Sequence, residues 1–117
     1  MYHFVKSKKD TRPEKIWLAI TKSLTSKSLI LSITDIIYEL LEVSNEGITY
    51  RARIRSAHEP ETISKQNAII VLQGLIKIGA FNTVNTKSLF RQTKIYRQRS
   101  PIFATLIASG IIQKLTA

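Results

Sequence analysis

The chain has 117 residues, of which 44% are hydrophobic, and its 18 Lys and Arg residues against 8 Asp and Glu give a net charge of +10. This length supports one domain with one core, and the apolar content excludes a wholly disordered chain. The sequence contains no cysteine, which excludes disulfides, a thiol nucleophile and a cysteine-ligated zinc finger.

The sequence predicts neither an export signal nor a membrane span. Its amino terminus is charged and lacks the apolar stretch of a signal peptide. The longest apolar run, residues 102–112, is shorter than the roughly 20 residues that cross a bilayer. We therefore expect a cytoplasmic or nucleoid-associated protein.

The positive charge is concentrated in the second half of the chain. All eight acidic residues lie before position 62, whereas residues 62–117 contain eight basic residues and no acid. Unopposed charge of one sign repels itself in a folded domain and is typical of proteins that bind a polyanion. We therefore expect nucleic acid as the partner. The alternative is a cationic surface that only keeps the protein in solution.

The chain begins with a predicted arm followed by a helix. Residues 1–12 are predicted to form a basic, flexible arm, and residues 13–117 a single domain. Pro13 stands where proline is tolerated in a first helical turn, and apolar residues at helical spacing follow it. The first helix is therefore predicted over 13–25.

Two elements are predicted in the middle of the chain. Ser32 with Asp35 is typical of a helix start, and apolar residues every three or four positions predict a second helix over 32–43. In residues 48–57, apolar and polar side chains alternate as in a half-buried strand, but Thr49 as an N-cap also allows a short helix. We favour the short helix and keep the strand as the alternative.

The strongest helical pattern covers residues 63–78 and ends at Gly79. Its outer face is predicted to carry Gln66, Asn67, Ile70, Gln73 and Lys77. Two alternating segments, 81–84 and 93–97, are then predicted to pair as a hairpin with a long basic loop. A last apolar helix is predicted to begin at Ser100.

This order of elements resembles the winged helix-turn-helix DNA-binding superfamily over about residues 32–98. The most specific part is the end of the long helix. The places that lead into the first wing strand in such proteins are held here by Leu72, Lys77, Gly79 and Phe81. The resemblance implies a mainly α winged helix with a small β-hairpin and extra amino- and carboxy-terminal helices. It also implies a sequence-specific regulator of transcription, or of replication or transfer of a mobile element, that acts by occupying duplex DNA.

The resemblance assigns two sets of DNA contacts. The long helix would lie in the major groove and read base edges with Ser64, Lys65, Gln66, Asn67 and Ile70. The phosphate contacts would come from Arg51, Arg53, Arg55, Lys87, Arg91, Lys94 and Arg97. The alternative is that both sets are only solvated surface.

Apolar residues of the flanking helices predict a symmetric homodimer, which suits a palindromic DNA site. The predicted interface consists of Trp17, Phe103, Leu106 and Ile107. The alternative is that these side chains complete the core of the monomer.

We expect no enzyme, metal or cofactor. The two histidines, His3 and His58, do not form the i, i+4 pair of a helical metal site, and no Gly-rich phosphate loop or nucleophile elbow occurs. Two other functions remain open: an RNA-binding or ribosome-associated protein, and an interaction protein that binds an acidic protein partner.

Overall fold

The computed structural model describes residues 1–5, 8, 11–53, 59–92 and 96–115. The first half contains β1 (Tyr2–Phe4), α1 (Pro13–Leu24), β2 (Leu29–Leu31), β3 (Ile37–Ser44), β4 (Gly47–Ala52) and β5 (Glu61–Ser64). The second half contains α2 (Lys65–Ile78), β6 (Ala80–Phe81), α3 (Lys87–Gln92), a 3-10 turn (Tyr96–Gln98), α4 (Arg99–Ala108) and β7 (Ile112–Lys114).

The strands form two antiparallel sheets, so the chain has an α+β fold and the predicted mainly α winged helix is wrong. The larger sheet has the order β2-β3-β4-β5, and the smaller has the order β6-β1-β7. Helices α1, α2 and α4 pack against strands of the larger sheet. Among the described residues, no helix is both long enough and apolar enough to cross a membrane.

Three predicted helices are confirmed as α1, α2 and α4. Pro13 stands in the first turn of α1. The Ser64 Oγ caps α2 by accepting a hydrogen bond from Asn67 N at 3.2 Å, and Gly79, with a φ of 82°, ends that helix. Pro13 therefore marks the start of α1, and Ser64 and Gly79 mark the start and the end of α2.

The helix predicted over 32–43 is wrong, because this segment forms a turn followed by β3. The Ser32 Oγ accepts hydrogen bonds from Thr34 N and Ile36 N, so it caps a turn instead of a helix. Asp35 has a φ of 65°, which lies outside the helical region. The turn therefore reverses the chain and pairs β2 with β3.

The short helix favoured for residues 48–57 is wrong where the structure describes it, and the alternative, a strand, is confirmed as β4. Strand β4 lies between β3 and β5, and its residues Ile48 and Tyr50 face the core. The remaining residues of this segment, 54–57, lie outside the described part of the chain.

The predicted wing is also replaced by other elements. Strand β6 pairs with β1, and residues 87–92 form α3 instead of a basic loop. The turn before α3 is held by two amides: Asn82 Oδ1 accepts from Asn85 N, and Asn85 Oδ1 accepts from Asn82 N, both at 2.8 Å. Residues 93–95 of the predicted second wing strand lie outside the described residues.

The segment predicted to be a flexible arm contains an ordered strand. Residues 2–4 form β1, the middle strand of the smaller sheet, where the chain pairs on both sides. Phe4 is buried, and its ring packs against Phe81 with centroids 5.5 Å apart. Burial of this ring fixes the strand in place.

The core lies between the helices and the larger sheet, with Trp17, Phe81, Phe90 and Phe103 as its largest fully buried side chains. The predicted dimer interface is wrong, because its residues lie in this core. Trp17, Phe103 and Leu106 are 1%, 0% and 2% exposed, and Ile107 is partly buried against the same core. These four side chains complete the monomer, as the alternative had it, and offer little surface to a second copy.

Candidate nucleic-acid interface

Charge is divided between the helices and the larger sheet. Helices α1, α2 and α3 contain six basic residues, Lys15, Lys22, Lys65, Lys77, Lys87 and Arg91, and one acidic residue, Glu14. Strands β2 to β5 contain three acidic residues, Glu39, Glu42 and Glu61, and one basic residue, Arg51. The excess positive charge of these elements therefore lies on the helices.

Helix α2 exposes one polar face. Its residues Ala68, Val71, Leu72 and Leu75 are buried. On the opposite side, the exposed residues are Gln66, Ile70, Gln73 and Lys77. The predicted outer face is confirmed for these four side chains, whereas Asn67 is half-buried. A helix of 14 residues presents this face over about 21 Å.

Helix α3 packs beside α2 at a glycine. A Cβ on Gly74 would lie 2.5 Å from Leu89 Cδ1, so the missing side chain lets the two helices approach closely. Lys87 and Arg91, one turn apart, are exposed, while Phe90 is buried. Two cationic side chains thus lie on the helix that adjoins the exposed face of α2.

Helix α1 also contacts α2 and adds positive charge. Lys15, Leu18 and Lys22 are exposed on the side of α1 opposite to Ile16 and Ile20, which are buried. We use the name cationic helix face for the five exposed cations of these three helices together with the exposed Gln66, Ile70 and Gln73 of α2. It comprises Lys15, Lys22, Gln66, Ile70, Gln73, Lys77, Lys87 and Arg91. The exposed Glu14, Leu18, Ile78 and Ser88 are not part of this set.

The predicted base-reading residues divide into two groups. Gln66 and Ile70 lie on the cationic helix face. Ser64 and Asn67 hold the first turn of α2 through their hydrogen bond, and Lys65 N donates to Glu46 O at 3.0 Å. Ser64, Lys65 and Asn67 are all half-buried, so the structure brings only the first group onto the open face.

The predicted phosphate-binding residues are divided as well. Lys87 and Arg91 lie on the cationic helix face. Arg51 Nη2 lies 3.3 Å from Glu39 Oε2, and Arg97 Nη2 lies 3.6 Å from Glu61 Oε1, so both arginines are paired with carboxylates of the sheet. The exposed Arg53 directly follows β4, and the predicted residues Arg55 and Lys94 lie outside the described residues.

Three cations of the face are not among the DNA contacts that the sequence predicts: Lys15, Lys22 and Lys77. Periodicity predicts Lys77 on the outer face of the long helix, but the resemblance assigns it no DNA contact. The spacing of Lys15 and Lys22, two turns apart opposite the buried stripe of α1, is the signal that would have found them.

A cavity of about 460 Å³ lies between the inner face of the larger sheet and the start of α4, with Tyr38, Tyr50, Glu61 and Arg97 among its lining residues. Tyr50 Oη donates to Glu61 Oε2 at 3.0 Å, and the two tyrosine rings meet edge to face with centroids 5.5 Å apart. Burial, followed by the charge and hydrogen bond of Glu61, raises the pKa of Tyr50. The polar groups of this cavity therefore bind largely to one another.

No protein-family model, curated protein or solved structure matches the chain.

Proposed function

We propose that the protein binds duplex DNA through the cationic helix face and acts as a regulator by occupying its site, without catalysing a reaction. The observation that carries this proposal is the separation of charge between the helices and the sheet. Five cations, Lys15, Lys22, Lys77, Lys87 and Arg91, are exposed on helices that contain one acid.

Phosphate binding supplies most of the proposed affinity. Lysine and arginine side chains that neutralise phosphates release counterions, so the binding constant falls with salt by a logarithmic slope of about −0.9 per phosphate. If the five cations of the face each meet one phosphate, the slope is about −4 to −5. The same charge would place the protein with the DNA of the nucleoid.

Base contacts are the second part of the proposal. Gln66, Ile70 and Gln73 are exposed on α2, which contacts both α1 and α3. A glutamine amide can both donate to and accept from adenine, and an exposed isoleucine can contact the methyl group of thymine. These three residues are the proposed source of sequence preference, and selection of bound sequences from a random DNA pool would identify the preferred site.

The test compares salt dependence for two matched double variants. In fluorescence anisotropy with duplex DNA, Lys77→Gln with Lys87→Gln is expected to make the logarithmic salt slope less steep by about 2. The control, Arg53→Gln with Lys114→Gln, removes the same charge from exposed positions outside the helices and should leave the slope nearly unchanged.

Each other outcome contradicts part of the proposal. Equal losses in the two double variants would show that net charge, and not the cationic helix face, binds DNA. Tighter binding to duplex RNA than to duplex DNA would favour the RNA-binding alternative. Weak, salt-insensitive binding to both duplexes would leave an acidic protein as the better candidate partner.

A further inference from the structure

Strand β2 is an open edge of the larger sheet. Ser28 O accepts from Leu40 N, and Ser32 N donates to Ile36 O, so these residues direct their backbone groups toward β3. Because backbone groups alternate along an antiparallel strand, Leu29 and Leu31 direct their N–H and C=O groups away from the sheet. Two residues of β2 can therefore pair with another strand.

The side chains along this edge are apolar and exposed. Leu29, Leu31 and Ile33 are 44%, 54% and 43% exposed. Residues 28–34 contain no charged residue and no proline. Charges and prolines are the usual means by which an exposed edge avoids pairing with another chain. Strand β2 has neither.

The other edges that the structure describes are protected. Gln98 Nε2 donates to Thr62 O at 3.0 Å and so covers part of the β5 edge. Asn85 Nδ2 donates to Ala80 O at 3.1 Å on β6, and β7 carries the exposed Lys114. Among the described strands, β2 is the edge that lacks both a side-chain cap and a charge.

Charge favours a second copy of this chain at β2. Residues 27–53 contain three basic and four acidic residues, a net charge of −1, although the whole chain carries +10. Two copies that repel each other elsewhere meet least repulsion here. Lys27 precedes β2 and Asp35 follows it, so antiparallel pairing brings opposite charges to the same end of the interface.

We infer that β2 pairs with β2 of a second copy to form a two-fold symmetric dimer. Ile30 lies at the two-fold axis, and Leu29 pairs with Leu31 of the partner subunit. Antiparallel pairing about an axis perpendicular to the sheet joins the two larger sheets into eight strands. It also keeps the helices of both copies on one side. The interface is small, so the dimer forms in a concentration-dependent way.

The first test measures the dimer in the absence of nucleic acid, so its result does not depend on the proposed function. Sedimentation equilibrium of the free chain is expected to show a monomer–dimer equilibrium. Leu31→Lys should raise the dissociation constant by about tenfold or more, because it places a charge at each end of the paired edge. The matched control is Leu41→Lys, since Leu41 is 45% exposed on the same sheet but lies at the bulge of β3.

The second test fixes the register of the pairing. The chain has no cysteine, so introduced thiols can only link two copies. Directly paired residues have Cα atoms about 5.5 Å apart, within the range of a disulfide. A mixture of Leu29→Cys and Leu31→Cys should therefore form more disulfide-linked dimer than either variant alone.

A free chain that stays monomeric at all concentrations overturns the inference. So does a dimer that Leu31→Lys and Leu41→Lys weaken equally, or one that shows no excess cross-linking in the mixture, because such a dimer uses another surface.

Discussion

Helices α1 to α3 and the larger sheet share one core, but they present different surfaces to solvent. The helices expose lysine, arginine and glutamine side chains around α2. The sheet exposes Leu29 and Leu31 on β2, and two of its charged residues, Arg51 and Glu39, are paired with each other. The helices of this small domain therefore offer charged and polar side chains to a partner, whereas the sheet offers apolar side chains at β2.

This difference shows why the net charge of the whole chain is a poor guide to its parts. A charge of +10 suggests a uniformly basic protein. The fold instead gathers most of the acids around β2 to β5, whereas α1 to α3 contain six cations and one acid. A polyanion and a second copy can then bind without competing for one surface, as we propose.

The largest loss of stability is expected from a substitution in the core that the helices and the larger sheet share. Phe103 is fully buried, and its ring centroid lies 6.1 Å from those of Phe81 and Phe90. Phe103→Ala is expected to lower the free energy of unfolding by about 3–5 kcal/mol, measured by urea denaturation. The exposed Val84 supplies the control, since Val84→Ala should cost less than about 0.5 kcal/mol. Similar losses in the two variants would contradict the described core.

A smaller loss of unfolding free energy is expected for a substitution of Tyr50, on the inner face of the larger sheet. Tyr50→Phe removes the hydrogen bond to Glu61 and should cost about 1–2 kcal/mol at neutral pH. Because the pKa of Tyr50 is raised above its ordinary 10.0 by burial and by Glu61, the folded state resists ionisation of this phenol. Its contribution to stability is complete below about pH 10 and is lost as the pH rises above that value.

The measurement is the difference in unfolding free energy between the wild type and Tyr50→Phe as the pH is raised. Above about pH 10 the advantage of the wild type should shrink by about 1.4 kcal/mol per pH unit. Tyr2→Phe, in the smaller sheet, is the control for general alkaline destabilisation. A constant difference across this range would argue against the buried environment of Tyr50.

The smallest change in unfolding free energy is expected for a substitution among the surface charges of the larger sheet. Glu39→Gln breaks the ion pair with Arg51, whose atoms lie 3.3 Å apart. Exposed ion pairs contribute about 0–1 kcal/mol, so the unfolding free energy should change by less than about 1 kcal/mol. The salt slope of DNA binding should not change, because Arg51 lies away from the cationic helix face. A steeper slope in Glu39→Gln would instead place Arg51 among the phosphate contacts.

Helices with marked ends could be predicted from the sequence, and long-range pairing could not. Pro13, Ser64 and Gly79 mark the limits of α1 and α2 by local chemistry. The pairing of β1 with β6 and β7 joins residues far apart in the chain, which no local pattern records.

The sequence of β3 fits a helical pattern because a bulge interrupts the alternation of its side chains. The register shifts between Leu40 and Glu42, so its apolar residues fall at intervals that also fit a helix. Helix α3 is too short to show a periodicity, and it depends on Gly74 to pack against α2.

The candidate site was predicted only in part. Gln66, Ile70, Lys87 and Arg91 could be chosen from the sequence because periodicity and charge place them outside the core. The ion pairs of Arg51 and Arg97 could not be foreseen, because Glu39 and Glu61 reach them only through the folded sheet.

The fluorescence of the chain's one tryptophan reports on the contact between α1 and the larger sheet. Trp17 is 1% exposed on α1, and its Nε1 donates to Asn45 O at 2.8 Å in the turn between β3 and β4. Separation of the hairpin from the helix would expose the indole to water and shift its emission to longer wavelength. Fluorescence of the unlabelled protein can therefore follow detachment of the sheet, while far-ultraviolet circular dichroism follows the helices.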